Sequence, residues 1–348
     1  MKIADAIVKL VARVDLSRDE MAEVFGEIMD GAATPAQIGG LLVALRAKGE
    51  TVDELVGAAT AMRARATPLA FDASGAIDTC GTGGDSAGTV NVSTLAAILI
   101  VACGGVVAKH GNRALSSKCG SADVLEALEI CVDAAPEAVA HSLRHAGIGF
   151  MFAPRFHTAT RHASGPRKEL GTRTIFNLLG PLTNPARVGH QVVGVYDRAW
   201  CLPMASALGA LGVRRAAVVH GAGNLDELAV AGETHVAVFD AGETRELAVT
   251  PASFGLRDVD PAGLAGGDVA HNAGVARELL AGEAIGPGER HEAALHAVGM
   301  TVALALALLE PGTLDLGALP AHYARAIGAV RDGAALAVLD RWRKASRA

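Results

Sequence analysis

The segment Asp78-Thr79-Cys80-Gly81-Thr82-Gly83-Gly84-Asp85 places three glycines and two carboxylates at the end of a short apolar run, Ala76-Ile77. Glycines leave consecutive backbone N–H groups unobstructed, so that they can converge on an anion, and phosphate suits that geometry. Thr89-Val90-Asn91-Val92-Ser93-Thr94 then leads into Leu95-Ala96-Ala97-Ile98-Leu99-Ile100. This is a helix-like stretch whose hydroxyl-bearing first turn and positive dipole end favour a second phosphate. Two anion sites in tandem predict a ligand with two or three phosphates. Neither familiar nucleotide motif fits: Gly88 is followed by Thr89 where a P-loop needs Lys, and Gly-x-Gly-x-x-Gly breaks at Ser86.

Three other stretches carry chemistry, each just after a β-like run, where ligands of open α/β sheets sit. After Val106-Val107-Ala108 comes Lys109-His110-Gly111-Asn112-Arg113-Ala114-Leu115-Ser116-Ser117-Lys118-Cys119-Gly120-Ser121, whose cations and hydroxyls could wrap a phosphorylated sugar. After Phe150-Met151-Phe152 comes a basic stretch with Arg155, His157, Arg161, His162, Arg167, Lys168 and Arg173. After Val218-Val219-His220 comes Gly221-Ala222-Gly223-Asn224-Leu225-Asp226-Glu227, whose adjacent carboxylates suit a hard cation such as Mg2+. Taken alone, each has a plainer reading as a turn, a structural histidine or a solvated face.

The elements that must position these residues follow from periodicity. The first ~65 residues hold three capping-box starts, Ser17-Arg18-Asp19-Glu20, Thr34-Pro35-Ala36-Gln37 and Thr51-Val52-Asp53-Glu54, with Gly31 and Gly49 as stops. They predict a small all-helical unit. From Ala76 onward, β-like runs (105–108, 148–152, 192–195, 216–219 and 235–239) alternate with helical ones, predicting a mainly parallel sheet, and a turn at 240–243 predicts a hairpin. The apolar run Ala293 to Leu309 is short for a bilayer span and reads as a buried helix.

At 348 residues and 51% hydrophobic, the chain is long enough for two globular domains with sizeable cores. A net charge of −6 and few aromatics disfavour a general nucleic-acid surface. Cys80, Cys103, Cys119, Cys131 and Cys201 form no Cys-x-x-Cys pair and follow no secretory leader, so a reducing cytoplasm is expected.

Together these segments closely resemble the anthranilate phosphoribosyltransferase family, which adds Gly120-Ser121-Ala122-Asp123-Val124-Leu125-Glu126-Ala127-Leu128 and the run from Glu169 to Leu182. The resemblance spans most of the chain. It implies a helical N-terminal domain over 1–70 and an α/β domain of nucleoside phosphorylase/phosphoribosyltransferase type over 71–348, with part of 165–190 packing back on the helices. It implies transfer of the 5-phosphoribosyl group from phosphoribosyl pyrophosphate to the amine of anthranilate, with Mg2+ and release of pyrophosphate, the second step from chorismate toward tryptophan.

Carried over by position, the donor site comprises Gly81, Gly84, Asp85, Thr89, Asn91, Val92, Ser93, Thr94, Lys109, His110, Gly111, Asn112, Arg113, Ala114, Leu115, Ser116, Ser117 and Ser121. Gly81, His110, Asn112, His157 and Arg167 become the anthranilate positions, and Ser93, Asp226 and Glu227 the metal positions. The implied partners are the two small substrates and a second copy of the chain through its N-terminal helices, with no nucleic acid and no membrane. An aromatic amine is already nucleophilic near neutral pH, so no general base is assigned.

The chain departs from the family pattern at His157-Thr158-Ala159-Thr160 and Ser164-Gly165-Pro166-Arg167, which points to a reshaped approach path for anthranilate. Glu129 replaces a usual Gly and His296 a common Asn. Two rival readings are a nucleoside phosphorylase, whose signatures are not seen here, and a non-catalytic nucleic-acid-binding relative, disfavoured by the joint presence of Asn112, Arg167, Asp226 and Glu227.

Overall fold

The computed structural model describes residues 1–83, 88–114 and 118–348. Four helices open the chain: α1 (Ile3–Val11), α2 (Arg18–Met29), α3 (Pro35–Lys48) and α4 (Val52–Ala64). The last three start as the capping boxes require: Ser17, Thr34 and Thr51 side chains accept the N–H of Glu20, Gln37 and Glu54, whose side chains cap in return. Each such cap is worth about 1 kcal/mol. Glu54 does more. Its buried carboxylate also accepts the Leu16 N–H (3.0 Å) and the Lys48 ammonium (3.0 Å), locking the bundle's connections together.

Seven strands form one sheet: β1 (Ile77–Gly81), β2 (Val107–Gly111), β3 (Ile148–Phe152), β4 (His190–Gly194), β5 (Arg215–Gly221), β6 (Thr234–Asp240) and β7 (Glu243–Val249). Their order is β3-β2-β1-β4-β5-β6-β7, with the first five parallel and β6 and β7 antiparallel. The expected hairpin joins β6 to β7 through Ala241 (φ 52°) and Gly242 (φ 88°), two left-handed residues as a tight hairpin turn requires.

The connecting helices are α5 (Val92–Ala102), α6 (Ser121–Ala127), α7 (Pro136–Ala146), α8 (Ala153–Phe156), α9 (Arg161–Leu170), α10 (Phe176–Leu182) and α11 (Cys201–Ala210). After the sheet come α12 (Val269–Leu280), α13 (Glu292–Leu309), α14 (Leu319–Arg331) and α15 (Ala334–Ala345). Helix α13 is long and apolar enough to cross a membrane, yet 89% of it is buried inside the protein. It packs on α5 and α14 as the spine of the core, as its sequence predicts.

The two sheet faces have different covers. Val192, Val219 and Val236 face the core around α5 and α13, whereas Val193, Val195 and Val218 share a core with the N-terminal helices, α10 and α11. Helix α9 packs on α2 and α3, and α10 on α4, while the Phe176 ring of α10 lies 5.4 Å from that of Phe25 on α2. Arg63 of α4 donates to the Leu182 (2.7 Å) and Leu211 (2.9 Å) carbonyls. The bundle thus touches the segment that, as shown below, orients two site histidines.

Two boundaries differ from the sequence expectation. Asp78 to Gly81 are strand residues of β1, and Lys109 to Gly111 belong to β2 and do not follow it. The cause is tertiary: β1 pairs with β4 over five residues, Ile77↔His190 to Gly81↔Gly194, and β2 pairs with β3 as far as Gly111↔Phe152. Neighbouring strands hold polar residues extended against their local preference.

Candidate active site

Parallel strands bring Gly81, Gly111, Gly194 and Gly221 to one rim of the sheet. The acidic pair lies directly on that rim. A side chain on Gly194 would overlap the Asp226 carbonyl, one on Gly221 would strike the Glu227 carbonyl, and a Cβ on Gly81 would stand 2.6 Å from Asp226 Oδ2. Asp226 Oδ2 accepts the Gly83 N–H (2.9 Å), tying the acidic loop to the glycine segment. The charge of Glu227 is felt by the buried Lys109. Among the described residues no group of three His, Cys, Asp or Glu side chains could hold a metal by itself. Two carboxylates and a serine hydroxyl are hard oxygen donors of the kind that Mg2+ accepts.

Lys109 is walled in beneath this rim. Its ammonium donates to the Thr79 carbonyl and to Ser93 Oγ (3.3 Å), while Thr79 Oγ1 donates to the Ser93 carbonyl (2.8 Å). Burial pushes the lysine pKa down, and Asp78, Cys80 and Glu227 oppose that shift. Cys80 is the reverse case, its thiol held well above the usual value by burial, so it is no nucleophile. Ser93 and Thr94 lie in the first turn of α5, and Thr94 Oγ1 is buried with no hydrogen-bond partner among the described residues. Val92 beside them is buried too.

A second cluster gathers at the end of α10. His110 Nδ1 lies 3.1 Å from the Gly180 carbonyl and His157 Nε2 2.9 Å from the Thr183 carbonyl, with the two rings 5.1 Å apart. Burial lowers their pKa values to about 3 and about 4, so both are neutral near pH 7 and donate to those carbonyls. That tautomer leaves His110 Nε2 a buried acceptor with no partner among the described residues. Asp78, fully buried, accepts the His110 N–H (3.3 Å) and the Asn184 amide (2.7 Å), and Asn184 also donates to the Ala108 carbonyl (2.9 Å). Burial pushes the Asp78 carboxyl up to about 6.

Arg167 is half-buried on α9, its guanidinium 4.7 Å over the Phe176 ring, and no carboxylate among the described residues bonds it. In the departing stretch before it, Thr160 Oγ1 returns to the His157 carbonyl (2.7 Å), closing a short 3-10 turn that leads into α9. Asn112 is exposed, and its carbonyl accepts the Ser121 hydroxyl (3.1 Å). Arg113 turns toward α6, paired with Asp123 (3.0 Å) and Glu126 (2.8 Å), and Asp123 also accepts the Ala114 and Gly120 N–H groups.

Thr89 pairs with Ala265 at the mouth of the glycine segment, and the Asn91 side chain is engaged by Cys119 and Asn272. Gly84, Asp85, Leu115, Ser116 and Ser117 lie outside the described residues. The sequence reading missed Asn184 and Asn272. The Asn184-Pro185 pair marks a turn, which was a usable signal for the first; nothing local marks the second.

An open sheet of this order, with its glycine-rich rim, acidic pair and N-terminal helical bundle, defines a class. Residues 4–66 match the family model described as glycosyl transferase family, helical bundle domain, and residues 73–335 the glycosyl transferase family, a/b domain, and the chain belongs to that family. The anthranilate phosphoribosyltransferase of Anaeromyxobacter sp. (strain Fw109-5) is 49% identical over 340 residues, covering 95% of this chain and 100% of that protein. The crystal structure of anthranilate phosphoribosyltransferase from Thermus thermophilus superposes with a TM-score of 0.89 at 41% identity, covering 99% of this chain and 100% of that one. The Saccharomyces cerevisiae anthranilate phosphoribosyltransferase in complex with PRPP and Mg gives a TM-score of 0.87 at 25% identity, covering 99% and 98%. Within the glycosyl transferases, the chain belongs to the anthranilate phosphoribosyltransferases.

Proposed function

We propose that this chain transfers the 5-phosphoribosyl group of phosphoribosyl pyrophosphate to the amine of anthranilate, releasing pyrophosphate, in the tryptophan pathway. The observation that carries the reading is the Asp226-Glu227 pair lying on glycine strand ends beside the Gly81–Gly83 segment, with the relatives' identity extending over nearly the whole chain. Loss of pyrophosphate from the ribosyl carbon builds positive charge on the sugar and negative charge on the leaving group, so catalysis rests on positioning and charge stabilisation. The Ser93 N–H in the first turn of α5, the Thr94 hydroxyl, which has no partner among the described residues, and the glycine segment receive the phosphates, and Lys109 beneath them adds positive charge.

Asp226, Glu227 and Ser93 would hold Mg2+, which when bound would neutralise the developing pyrophosphate charge. Arg167, held flat over Phe176, offers a fork to the anthranilate carboxylate. Gly81 and Asn112 border the acceptor, and His110 Nε2 accepts one amine hydrogen. With a pKa of about 3, His110 is too weak a base to ionise the amine, in keeping with a nucleophile that needs no activation. The same reading divides the chain at 70/71, with 165–190 returning to the helices. It makes the exposed Val8, Val11, Val14 and Val43 of the first bundle a homodimer contact, and the five free cysteines suit a cytoplasmic setting.

The test is a steady-state assay of anthranilate fluorescence with each component omitted in turn. Consumption should require both phosphoribosyl pyrophosphate and Mg2+ and release one pyrophosphate per anthranilate. Consumption without the sugar donor would overturn the reading.

A further inference from the structure

Asn272 lies on α12, 181 residues from Asn91, and is almost wholly buried. A directed chain of hydrogen bonds runs through it. The Gly267 N–H donates to Asn272 Oδ1 (2.8 Å), Asn272 Nδ2 donates to Asn91 Oδ1 (2.9 Å), and Asn91 Nδ2 donates to the Cys119 carbonyl (3.2 Å). The first bond fixes the Asn272 amide so that its NH2 faces Asn91, and the last fixes Asn91 in turn. Asn91 is the N-terminal boundary residue of α5 but makes no side-chain cap there, so its amide is committed to this chain.

The backbone beside Asn272 makes a second, independent contact with the same loop. The Val90 N–H donates to the Leu264 carbonyl (2.9 Å), the Gly266 N–H donates to the Gly88 carbonyl (2.7 Å), and Thr89 pairs antiparallel with Ala265. Residue 266 must be glycine for this approach, since a Cβ there would stand 2.5 Å from the Thr89 carbonyl. Residues 264–272 therefore form a ledge under 88–91, and Asn91 links that loop to the segment just before Ser121 at the start of α6.

We propose that Asn272 is a positioning residue for the sugar-phosphate donor: through Asn91 it holds the first turn of α5 and the start of α6 at the spacing that the donor's phosphates span. The proposal rests on the reading of those two segments as the phosphoribosyl pyrophosphate site. It separates donor from acceptor, because no bond in the chain reaches Arg167 or His157.

The experiment is steady-state kinetics of Asn272→Ala and Asn272→Asp in the full-length protein, with thermal melts alongside. Asn272→Ala should raise the KM for phosphoribosyl pyrophosphate about 10-fold, the worth of one buried hydrogen bond with its unmatched partner, and leave the KM for anthranilate within about 2-fold. Asn272→Asp keeps the shape but sets an acceptor against Asn91 Oδ1, so it should raise the donor KM further, and it covers the case in which the Ala variant does not fold. Asn91→Ala combined with Asn272→Ala should be no worse than Asn91→Ala alone.

Equal increases in both KM values, a lowered melting temperature with unchanged KM, or additivity of the pair would overturn the proposal. Wild-type protein without donor-dependent turnover would instead sink the functional reading and the proposal with it.

Discussion

The carbonyl of Asp226 lies against the α-carbon of Gly194, so close that any side chain at 194 would overlap it. This places a carboxylate-bearing loop on the end of β4, and the contacts of Gly81 and Gly221 extend the arrangement across β1 and β5. The acidic pair is therefore held against strand backbone.

Replacing Asp226 and Glu227 together by Asn and Gln keeps the loop's shape and removes its charge. Mg2+-dependent turnover should fall at least ~100-fold, the effect of losing one preorganised charge contact in a reaction of this kind. A magnesium titration checks it. Unchanged activation would remove the pair as ligands.

Arg167→Ala removes the guanidinium over Phe176, and the KM for anthranilate should rise about 10- to 100-fold with that for the sugar donor nearly unchanged. Arg167→Lys should recover only part of the loss, because an ammonium cannot present a planar fork. Equal effects on both substrates would argue against a carboxylate clamp.

The pKa values of His110 (about 3) and His157 (about 4) lie below the unfolded value of roughly 6.5, so between pH 6.5 and about 4 the unfolded chain binds the extra protons and stability falls as pH drops. Asp78, raised to about 6, acts in the opposite sense: it takes up a proton in the folded state first, between pH 6 and about 4. Two histidines against one carboxyl leave, from these three groups, a net loss of stability as pH falls through that window. His157→Gln can still donate to the Thr183 carbonyl and should flatten the slope. Urea denaturation of both proteins from pH 7 to 4 checks this; parallel curves would contradict it.

Glu129 sits at φ 68°, a left-handed conformation that disfavours a side chain and suits the Gly usual in the family at this place. Its pairing with Arg343 is long (3.9 Å) and exposed, and worth little. Glu129→Gly should therefore stabilise the protein by about 0.5 to 1 kcal/mol after the entropy cost of glycine, raising Tm by roughly 1–3 °C. A lowered Tm would show that the carboxylate matters more than the backbone.

Much of this site was legible in the sequence because the signals were local. Ser17, Thr34 and Thr51 announced their helices through partners three residues on, and Asp226-Glu227 stood out as paired charges after a β-like run. Lys109 and Asp78 were legible as chemistry but misplaced as loop residues, since only pairing with neighbouring strands extends β1 and β2 to include them. Asn184 was marked in the sequence only as a turn before Pro185 and Asn272 was not marked at all, so the hydrogen bonds that each makes were not legible. Their partners, Asp78 and Asn91, are 106 and 181 residues away, and no periodicity encodes a hydrogen bond between two distant amide or carboxyl groups. His296 replaces a common Asn within α13, where it is buried and meets the Tyr323 ring edge-on at 6.1 Å; nothing in the structure explains the exchange further.

The most direct test of the central claim is a crystal structure of the full chain soaked with phosphoribosyl pyrophosphate and Mg2+. The donor should lie across the rim between Gly81 and Thr94, with its pyrophosphate and the ion facing Asp226 and Glu227 and its C1 open toward Arg167. Density for the donor at any other place, or an ion with no contact to that acidic pair, would contradict the account.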